Sequence, residues 1–295
     1  MLEQIKCNLC GSDDFHILAK TRISPFGVES NLVRCKRCNL AYFNPRLSIN
    51  DEMEFYRSVY IQKYGEEFWY YSRIRFFRYI LKKLESVLNG KGKLLDVGCG
   101  MGYFLKEAQK RGWVDVVGED VSHYAVEYAR QKLGLHVLEG ELSEVGLPNE
   151  HFDVVTVFNV LDQVQDPFGM LKKIFVLLRR GGVLSIRVSN LKYNLLILMF
   201  ANIMGFPQKS SLIHSCFHIY AFSSKSISKA LQLAGYTDIK VYNSPIEGGN
   251  FKMSLLERIF RYLAFIFVQI VYWITFGKLV IGPSLLVFAR KPNIV

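Results

Sequence analysis

The sequence has little that would place the protein outside the cell or across a membrane. Its first residues, MLEQIKCNLC, lack the apolar core and the small-residue cleavage site of a signal peptide, so we do not expect secretion. Its two uncharged apolar segments, 193–207 and 262–277, are shorter than the ~18 to 20 residues that a spanning helix needs. Four of the six cysteines form two Cys-x-x-Cys pairs, which favours a reducing, cytoplasmic compartment.

Acidic residues are scarce in the last part of the chain. The net charge is +11, and residues 161–295 carry 16 Lys and Arg against 5 Asp and Glu, whereas residues 91–160 carry 7 against 11. A basic half favours an anionic neighbour, such as a phosphorylated substrate, a membrane surface or RNA. Solvated lysines without a partner are the alternative.

The second apolar segment, 262–277, is flanked by Arg258, Arg261 and Lys278. This arrangement is typical of a helix that lies in a membrane interface. A buried core helix, or a hydrophobic cap over the substrate, would give the same pattern and stays open as an alternative.

Two cysteine pairs predict a metal site near the start of the chain. Cys7 and Cys10 are separated by 24 residues from Cys35 and Cys38. Each pair can present two thiolates to one tetrahedral zinc ion while the intervening segment folds back as a hairpin. Protein would fill all four positions, so we expect structural zinc without catalysis at the metal. Thiol redox chemistry is the alternative.

The pattern of apolar residues divides the chain into three parts. Residues 1–46 are short, polar and turn-rich and form the expected zinc ribbon, and apolar residues spaced by threes and fours predict a helical connector over 47–90. From residue 91, short apolar runs alternate with amphipathic stretches, which predicts an α/β fold with a doubly wound, mostly parallel sheet over 91–295. Apolar helical insertions are expected at about 191–207 and 251–281.

Residues 94–102, LLDVGCGMG, are the most informative segment. An apolar strand runs there into Gly98, Gly100 and Gly102 and then into a helix. Glycine lets backbone amides approach a ligand closely, and the helix N-terminus adds positive potential. A dinucleotide fingerprint starting at Gly98 would need a third glycine where the chain has Tyr103. The spacing therefore disfavours NAD binding.

This turn resembles the first motif of the class I S-adenosylmethionine (SAM)-dependent methyltransferases. Residues 117–122, VGEDVS, resemble the second motif, in which an acid holds the ribose hydroxyls; Asp120 aligns with that acid, and Glu119 is the alternative if the strand register differs by one. Residues 140–142, GEL, resemble the adenine-binding loop, and residues 152–155, FDVV, the fourth strand. Residues 178–184, LRRGGVL, resemble the turn before the fifth strand.

The resemblance implies a seven-stranded Rossmann-like sheet that binds SAM. For Asp96, fixing the glycine turn through its amides is an alternative role. The cofactor-binding residues that the resemblance implies are Asp96, Gly98, Cys99, Gly100, Gly102, Asp120, Val121, Glu141, Leu142 and Asn159.

The cysteine pairs carry a second resemblance. The segments CNLCG and VRCKRCNLAYFNPRLS are similar to the zinc-binding heads joined to methyltransferase domains in bacterial sugar C-methyltransferases and related cell-surface polysaccharide enzymes. This resemblance implies Cys7, Cys10, Cys35 and Cys38 as the zinc ligands.

One departure from the methyltransferase pattern affects the choice of general base. The family commonly has a Glu-His pair after the fourth strand, and this chain has Asp162-Gln163. His218 becomes the leading candidate because it aligns with a histidine common in similar chains and because an imidazole pKa suits proton transfer. A packed, structural histidine is the alternative. Further candidates are Tyr220 and, more weakly, His214 and Tyr64.

These observations predict a SAM-dependent methyltransferase that acts on a small or lipid-linked anionic acceptor, such as a sugar nucleotide, a glycan intermediate or a quinone-like phenol. We also expect peripheral contact with the inner face of the membrane through 251–281. Zinc ribbon and basic charge also suit an RNA methyltransferase, but residues 158–161, FNVL, lack the prolines common in amino-methylating enzymes, which disfavours nucleic acid. A non-catalytic SAM-binding or membrane-associated protein is the second alternative.

Overall fold

The computed structural model describes residues 2–23, 26–58, 66–203, 218–245 and 255–293. Tyr64 and His214 lie outside the described residues, as do parts of both apolar insertions.

Residues 2–23 and 26–47 form a small β-structured head. Its strands are β1 (Leu2–Glu3), β2 (Phe15–Ile23), β3 (Val28–Cys35), β4 (Ala41–Phe43) and β5 (Arg46–Leu47). β2 and β3 pair as the antiparallel hairpin expected between the cysteine pairs, β4 pairs with β3, and β1 pairs with β5.

Two helices follow the head, α1 (Ile49–Ser58) and α2 (Glu66–Leu88). The α2 residues that the 3.6-residue period places on one face are buried, and they pack against α3 (Tyr103–Lys110) and the main sheet. They are Phe76, Phe77, Ile80, Leu81 and Leu84. This burial fixes α2 beside the glycine turn that opens α3.

The remaining chain forms a seven-stranded sheet with helices, which confirms the α/β fold. Its strands are β6 (Leu94–Val97), β7 (Val116–Asp120), β8 (His136–Glu139), β9 (Phe152–Phe158), β10 (Leu178–Ser189), β12 (Thr237–Asn243) and β13 (Ser284–Arg290). The other helices are α4 (His123–Leu133), α5 (Pro167–Leu177), α6 (Leu191–Ile203), α7 (Ser224–Leu233) and α8 (Leu255–Ile274). The strand order is β12-β13-β10-β9-β6-β7-β8, and β13 runs antiparallel to both neighbours.

The strand order has its switch point between β6 and β9. From β6 the chain adds β7 and then β8 on one side, and it returns to add β9 and β10 on the other. In open α/β sheets, ligands bind in the crevice beyond the carboxyl ends of the strands at such a point. The topology therefore places a binding site beside the glycine turn after β6.

The head is continuous with the main domain. Strand β11 (Tyr220–Ala221), from the C-terminal half, pairs with β4 and becomes the fourth strand of the head's sheet. One hydrophobic cluster includes head residues such as Leu32 and Tyr42 together with sheet residues such as Leu184 and Ile186. The head's sheet therefore includes a strand from residues 220–221, whereas the sequence pattern predicted a head that consists of residues 1–46 alone.

Both apolar insertions leave the carboxyl edge of the sheet. α6 follows β10 directly, and α8 lies between β12, which is parallel to β10, and β13. Their exposed apolar side chains include Met199 and Phe200 on α6 and Phe267 and Trp273 on α8. Within the described residues, no helix is both long and apolar enough to cross a bilayer.

Candidate active site

A cavity of about 500 Å³ opens at the switch point of the sheet. It lies within the ~300 to 1,000 Å³ range usual for small-molecule sites. The structure brings nine of the ten expected cofactor-binding residues to its wall: Asp96, Gly98, Cys99, Gly100, Asp120, Val121, Glu141, Leu142 and Asn159. Gly102 is instead the N-cap residue of α3, where an added Cβ would clash with the Leu135 side chain.

Carboxylates at the end of β7 hold the glycine turn. Gly98 and Gly100 have φ values of 65° and 54°, in the left-handed region that favours glycine. The Gly100 amide donates to Asp120 Oδ2 at 2.7 Å, and the Gly98 amide donates to Glu119 Oε2 at 3.3 Å. Two neighbouring strand ends are thereby joined into one wall of the cavity.

Asp120 is the last residue of β7, as its motif predicted. Its second oxygen, Oδ1, accepts a hydrogen bond from the Ser122 amide at 2.9 Å. Burial raises the pKa of Asp120, and burial together with the Asp120 charge raises the pKa of Glu119 well above its usual range. A cation or a pair of hydroxyl donors in the cavity would relieve this concentration of negative charge.

Asp96 adds a third buried carboxyl at the end of β6. Its Oδ1 accepts a hydrogen bond from Thr156 Oγ1 at 2.6 Å. Burial, with a smaller effect of the Asp120 charge, raises the pKa of Asp96 to about 7. Asp96 therefore changes its charge near neutral pH and makes the cavity more attractive to cations as it ionises.

The end of β9 is tied to β10 by side chains. Asn159 has a φ of 60°, its amide donates to the Arg187 carbonyl at 2.8 Å, and its side-chain oxygen accepts from the Arg187 guanidinium. The Gln163 side-chain amide donates to the Asn159 carbonyl at 2.5 Å. Gln163, at the position where a histidine is common, thus lines the cavity as part of a hydrogen-bonded turn.

Neither expected catalytic residue lies in the wall of this cavity as described. Tyr220 is fully buried in β11; its hydroxyl donates to the Gln165 carbonyl and accepts from Arg46 Nη1, each at 3.1 Å. His218 is partly buried, and its Nδ1 has no hydrogen-bond partner among the described residues. Their catalytic roles stay predictions.

Aromatic and basic side chains complete the wall of the cavity. Tyr56 of α1 and Arg73 and Phe77 of α2 contribute to it, together with Lys173 of α5. The sequence predicts the helical connector but not these residues. For Tyr56, Arg73 and Phe77 the only signal was the position of the connector immediately before the glycine turn, and Lys173 carried no signal of its own.

Four cysteine thiols meet in the head. The sulfur atoms of Cys7, Cys10, Cys35 and Cys38 all lie within 4.8 Å of one another, with Cys7–Cys38 at 3.4 Å and Cys10–Cys35 at 3.5 Å. Tetrahedral zinc with Zn–S bonds of about 2.3 Å separates its sulfurs by about 3.8 Å. The four thiols therefore fit one tetrahedral zinc ion.

The two cysteine turns share one backbone form. In the first, the Gly11 amide donates to the Cys7 carbonyl at 2.8 Å; in the second, the Asn39 amide donates to the Cys35 carbonyl at 3.0 Å. Gly11 and Asn39 both have positive φ values, 71° and 63°. Asparagine is, after glycine, among the residues that tolerate this conformation best, so the sequence supports matched turns at both pairs.

Residues 68–241 match the family model described as methyltransferase domain. Curated relatives include ubiquinone biosynthesis O-methyltransferases from Coxiella burnetii, 32% identical over 35% of this chain and 47% of the relative, and from Haemophilus ducreyi, 34% identical over 39% and 51%. The chain thus spans about half the length of the curated relatives it matches.

A solved structure shows the same fold. Phosphoethanolamine N-methyltransferase 2 from Haemonchus contortus, in complex with phosphomonomethylethanolamine and S-adenosylhomocysteine, is 18% identical; the match covers 85% of this chain and 61% of that one, with a TM-score of 0.55. The family match includes the glycine turn and the strand ends that form the cavity. The chain therefore belongs to the methyltransferase domain family, whose class I members are SAM-dependent.

Proposed function

We propose that the protein transfers a methyl group from SAM to a small or lipid-linked anionic acceptor, with a quinone-like phenol as the best-supported class. The observation that carries this proposal is the polarity of the cavity. Its acidic side, formed by Asp96, Glu119 and Asp120, suits a cationic cofactor with ribose hydroxyls, and its wall also presents the basic side chains of Arg73 and Lys173.

The acidic side accounts for cofactor binding. Asp120 holds the ribose hydroxyls while it also fixes Gly100, and Glu141 and Leu142 border the adenine. Bound SAM supplies an electrophilic methyl group, and its positive sulfonium is favoured near ionised Asp96. The glycine turn leaves backbone close to the ligand because no Cβ intervenes.

The basic and aromatic residues of the wall form the acceptor side of the cavity. Arg73 and Lys173 attract an anionic group, and Tyr56 and Phe77 offer apolar surface to an aromatic ring. Methyl transfer to a phenol moves the methyl from sulfur to the phenol oxygen, and the phenol proton leaves to a base or to solvent. His218 remains the proposed base and Tyr220 the second candidate. The curated relatives named for ubiquinone biosynthesis support this acceptor class.

Apolar surface on α8 supports a lipid-linked acceptor and peripheral membrane contact. The outer face of α8 exposes large apolar side chains at helical spacing: Tyr262, Leu263, Ile266, Phe267, Ile270, Trp273 and Ile274. The opposite face is anchored, because Tyr272 packs against Tyr242 with ring centroids 6.2 Å apart. Lys278 follows the helix, which favours an anionic bilayer as the surface that covers it.

We further propose that the four-cysteine head holds one structural zinc ion. The donor set, its geometry and the matched backbone turns support this proposal.

Methyl-labelled SAM tests the proposed reaction. The protein is incubated with labelled SAM and cell extract separated into lipid, small aqueous metabolite and RNA fractions. We expect label in lipid-extractable phenols, and much less label with the Asp120→Ala variant at a SAM concentration near the Kd of the starting protein. Label in RNA, or absence of label from every fraction while SAM binds, would overturn the proposed acceptor class.

A further inference from the structure

The first cysteine turn contacts the main domain through one side chain. Asn8 lies between Cys7 and Cys10, and its Nδ2 donates to Asp166 Oδ1 at 2.8 Å. Its Oδ1 accepts a hydrogen bond from the Phe168 amide at 3.0 Å. Asn8 therefore binds the start of α5 through two hydrogen bonds. Asp166 Oδ1 also caps this helix, because it accepts a hydrogen bond from the Gly169 amide.

The segment that Asn8 binds also borders the cavity. The loop 162–168 connects β9 to α5, and four of its residues line the cavity: Gln163, Val164, Gln165 and Asp166. The head holds the same loop at a second point, because Arg46 Nη1 donates to the Gln165 carbonyl at 2.9 Å and Gln165 Nε2 donates to the Leu47 carbonyl at 3.2 Å. This loop follows β9 and lies on the other side of the switch point from the acidic ends of β6 and β7.

We propose that Asn8 is a positioning residue that couples metal binding in the head to the acceptor side of the cavity. Binding of Cys7 and Cys10 to one zinc ion fixes the backbone between them, and with it the direction of the Asn8 amide. The fixed amide then holds loop 162–168 in place. This inference rests on the structural zinc and on the acceptor side proposed above.

The second cysteine turn provides a matched comparison. Lys36 occupies the same place between Cys35 and Cys38 as Asn8 does between Cys7 and Cys10. Its side chain is 55% exposed, and its ammonium lies 2.9 Å from Asp14 of the head itself. The two turns thus have the same backbone form, but only the side chain of Asn8 contacts loop 162–168, whereas that of Lys36 contacts the head.

Amide hydrogen exchange on the full-length, zinc-loaded protein tests the coupling. With Asn8→Ala we expect the Phe168 amide and its loop neighbours to exchange about tenfold faster, because a donor and an acceptor of the loop lose their partner. Zinc content should stay unchanged, since Asn8 is not a ligand. Lys36→Ala should leave exchange in 162–168 unchanged. Equal effects of the two variants, or no effect of Asn8→Ala, would overturn the coupling.

A polarity swap separates positioning from general stability. In Asn8→Asp the new carboxylate can still accept from the Phe168 amide, but it faces the Asp166 carboxylate instead of donating to it, so loop exchange should be faster than in the starting protein. The double variant Asn8→Asp/Asp166→Asn restores one donor and one acceptor, and an asparagine at 166 can still cap α5. We expect exchange to return to within about twofold of the starting protein. Failure of the double variant to recover would contradict the pairing.

Zinc removal tests the metal side of the coupling. Chelation should speed exchange of the Phe168 amide in the starting protein and add little to it in Asn8→Ala, because the Asn8 contact with this amide is already lost there while Arg46 and Leu47 still contact Gln165. Additive effects would overturn the coupling through Asn8. Hydrogen exchange and zinc content do not depend on methyl transfer. A protein that methylates no phenol can therefore still show the Asn8 coupling, so failure of the proposed reaction and failure of the coupling are distinguishable.

Discussion

Asp120 Oδ2 and the Gly100 amide are joined by a 2.7 Å hydrogen bond that closes the glycine turn against the end of β7. The carboxylate that the sequence assigns to the cofactor ribose therefore also shapes the backbone around the cofactor. Loss of the Asp120 side chain should therefore weaken SAM binding twice over: it removes the contact with the ribose, and it releases the Gly100 amide.

Asp120→Ala should weaken SAM binding about 30- to 100-fold, because charge-assisted hydrogen bonds of this kind are worth ~2 to 3 kcal/mol together. Isothermal titration calorimetry measures the loss. The matched control is Glu139→Ala at the end of β8, an exposed carboxylate paired with His123, which should change affinity less than about twofold. If Asp120→Ala binds normally and Glu119→Gln does not, the ribose acid is Glu119.

Asp96 should make SAM affinity depend on pH. Its pKa of about 7 in the free protein, against an ordinary 3.8, leaves it largely protonated below neutrality. Ionisation favours the cationic sulfonium, so affinity for SAM should rise several-fold as pH increases from about 6 to about 8. S-adenosylhomocysteine lacks that charge and should respond less. A constant ratio of the two dissociation constants over this range would contradict the prediction.

Asp96 should also make folding stability depend on pH, but stability should fall with rising pH whereas SAM affinity rises. Because the pKa of Asp96 is raised on folding, the native state binds more protons than the unfolded state between pH ~4 and ~7. The contribution of Asp96 to the free energy of unfolding therefore falls as pH rises through that window. SAM should stabilise the protein more at about pH 8 than at about pH 6, measured as the ligand-induced shift in melting temperature.

Cys38→Ser should abolish zinc binding. One of four thiolates is lost, and the remaining three cannot close a tetrahedral structural site. Metal analysis should fall from about one zinc per chain to near zero, and the melting temperature should fall with it. Cys99→Ser, which alters a cysteine outside the cluster, should retain the metal. Full zinc content in Cys38→Ser would refute the four-cysteine site.

The exposed face of α8 should bind anionic vesicles. The double variant Phe267→Glu/Trp273→Glu removes two large apolar side chains, 61% and 72% exposed, and should lower vesicle binding more than about tenfold in flotation at low salt. Val114→Glu, at a position 93% exposed outside α8, is the control and should float normally. Equal binding by all three proteins, or by none of them, would rule out α8 as the contact.

Tyr220→Phe should destabilise the protein by ~1 to 3 kcal/mol, because the Gln165 carbonyl and Arg46 each lose a buried hydrogen bond. Urea unfolding measures this change. SAM affinity should stay within about twofold, since Tyr220 lies outside the cavity wall. A large loss of methyl transfer with unchanged stability would instead support the catalytic role proposed for this tyrosine.

The sequence by itself determined the parts of the site that lie close together in the chain. The glycine turn and the cysteine pairs follow from local rules: which residues adopt positive φ and which spacing suits one metal ion. Asp120 follows from the resemblance of residues 117–122 to the second methyltransferase motif. The α/β alternation likewise follows from apolar periodicity, because periods of 2.0 and 3.6 residues distinguish strands from helices.

Tertiary structure alone decided which distant segments meet. Asn8 contacts Asp166 across 158 residues, and Arg46 contacts Tyr220 across 174. No local pattern encodes such pairs, since polar side chains like these are common and their partners depend on how the head packs on the sheet. That packing drew Tyr220 into the head's sheet, away from the cavity wall. The positions of α2 and α5 brought Arg73 and Lys173 to the cavity wall instead.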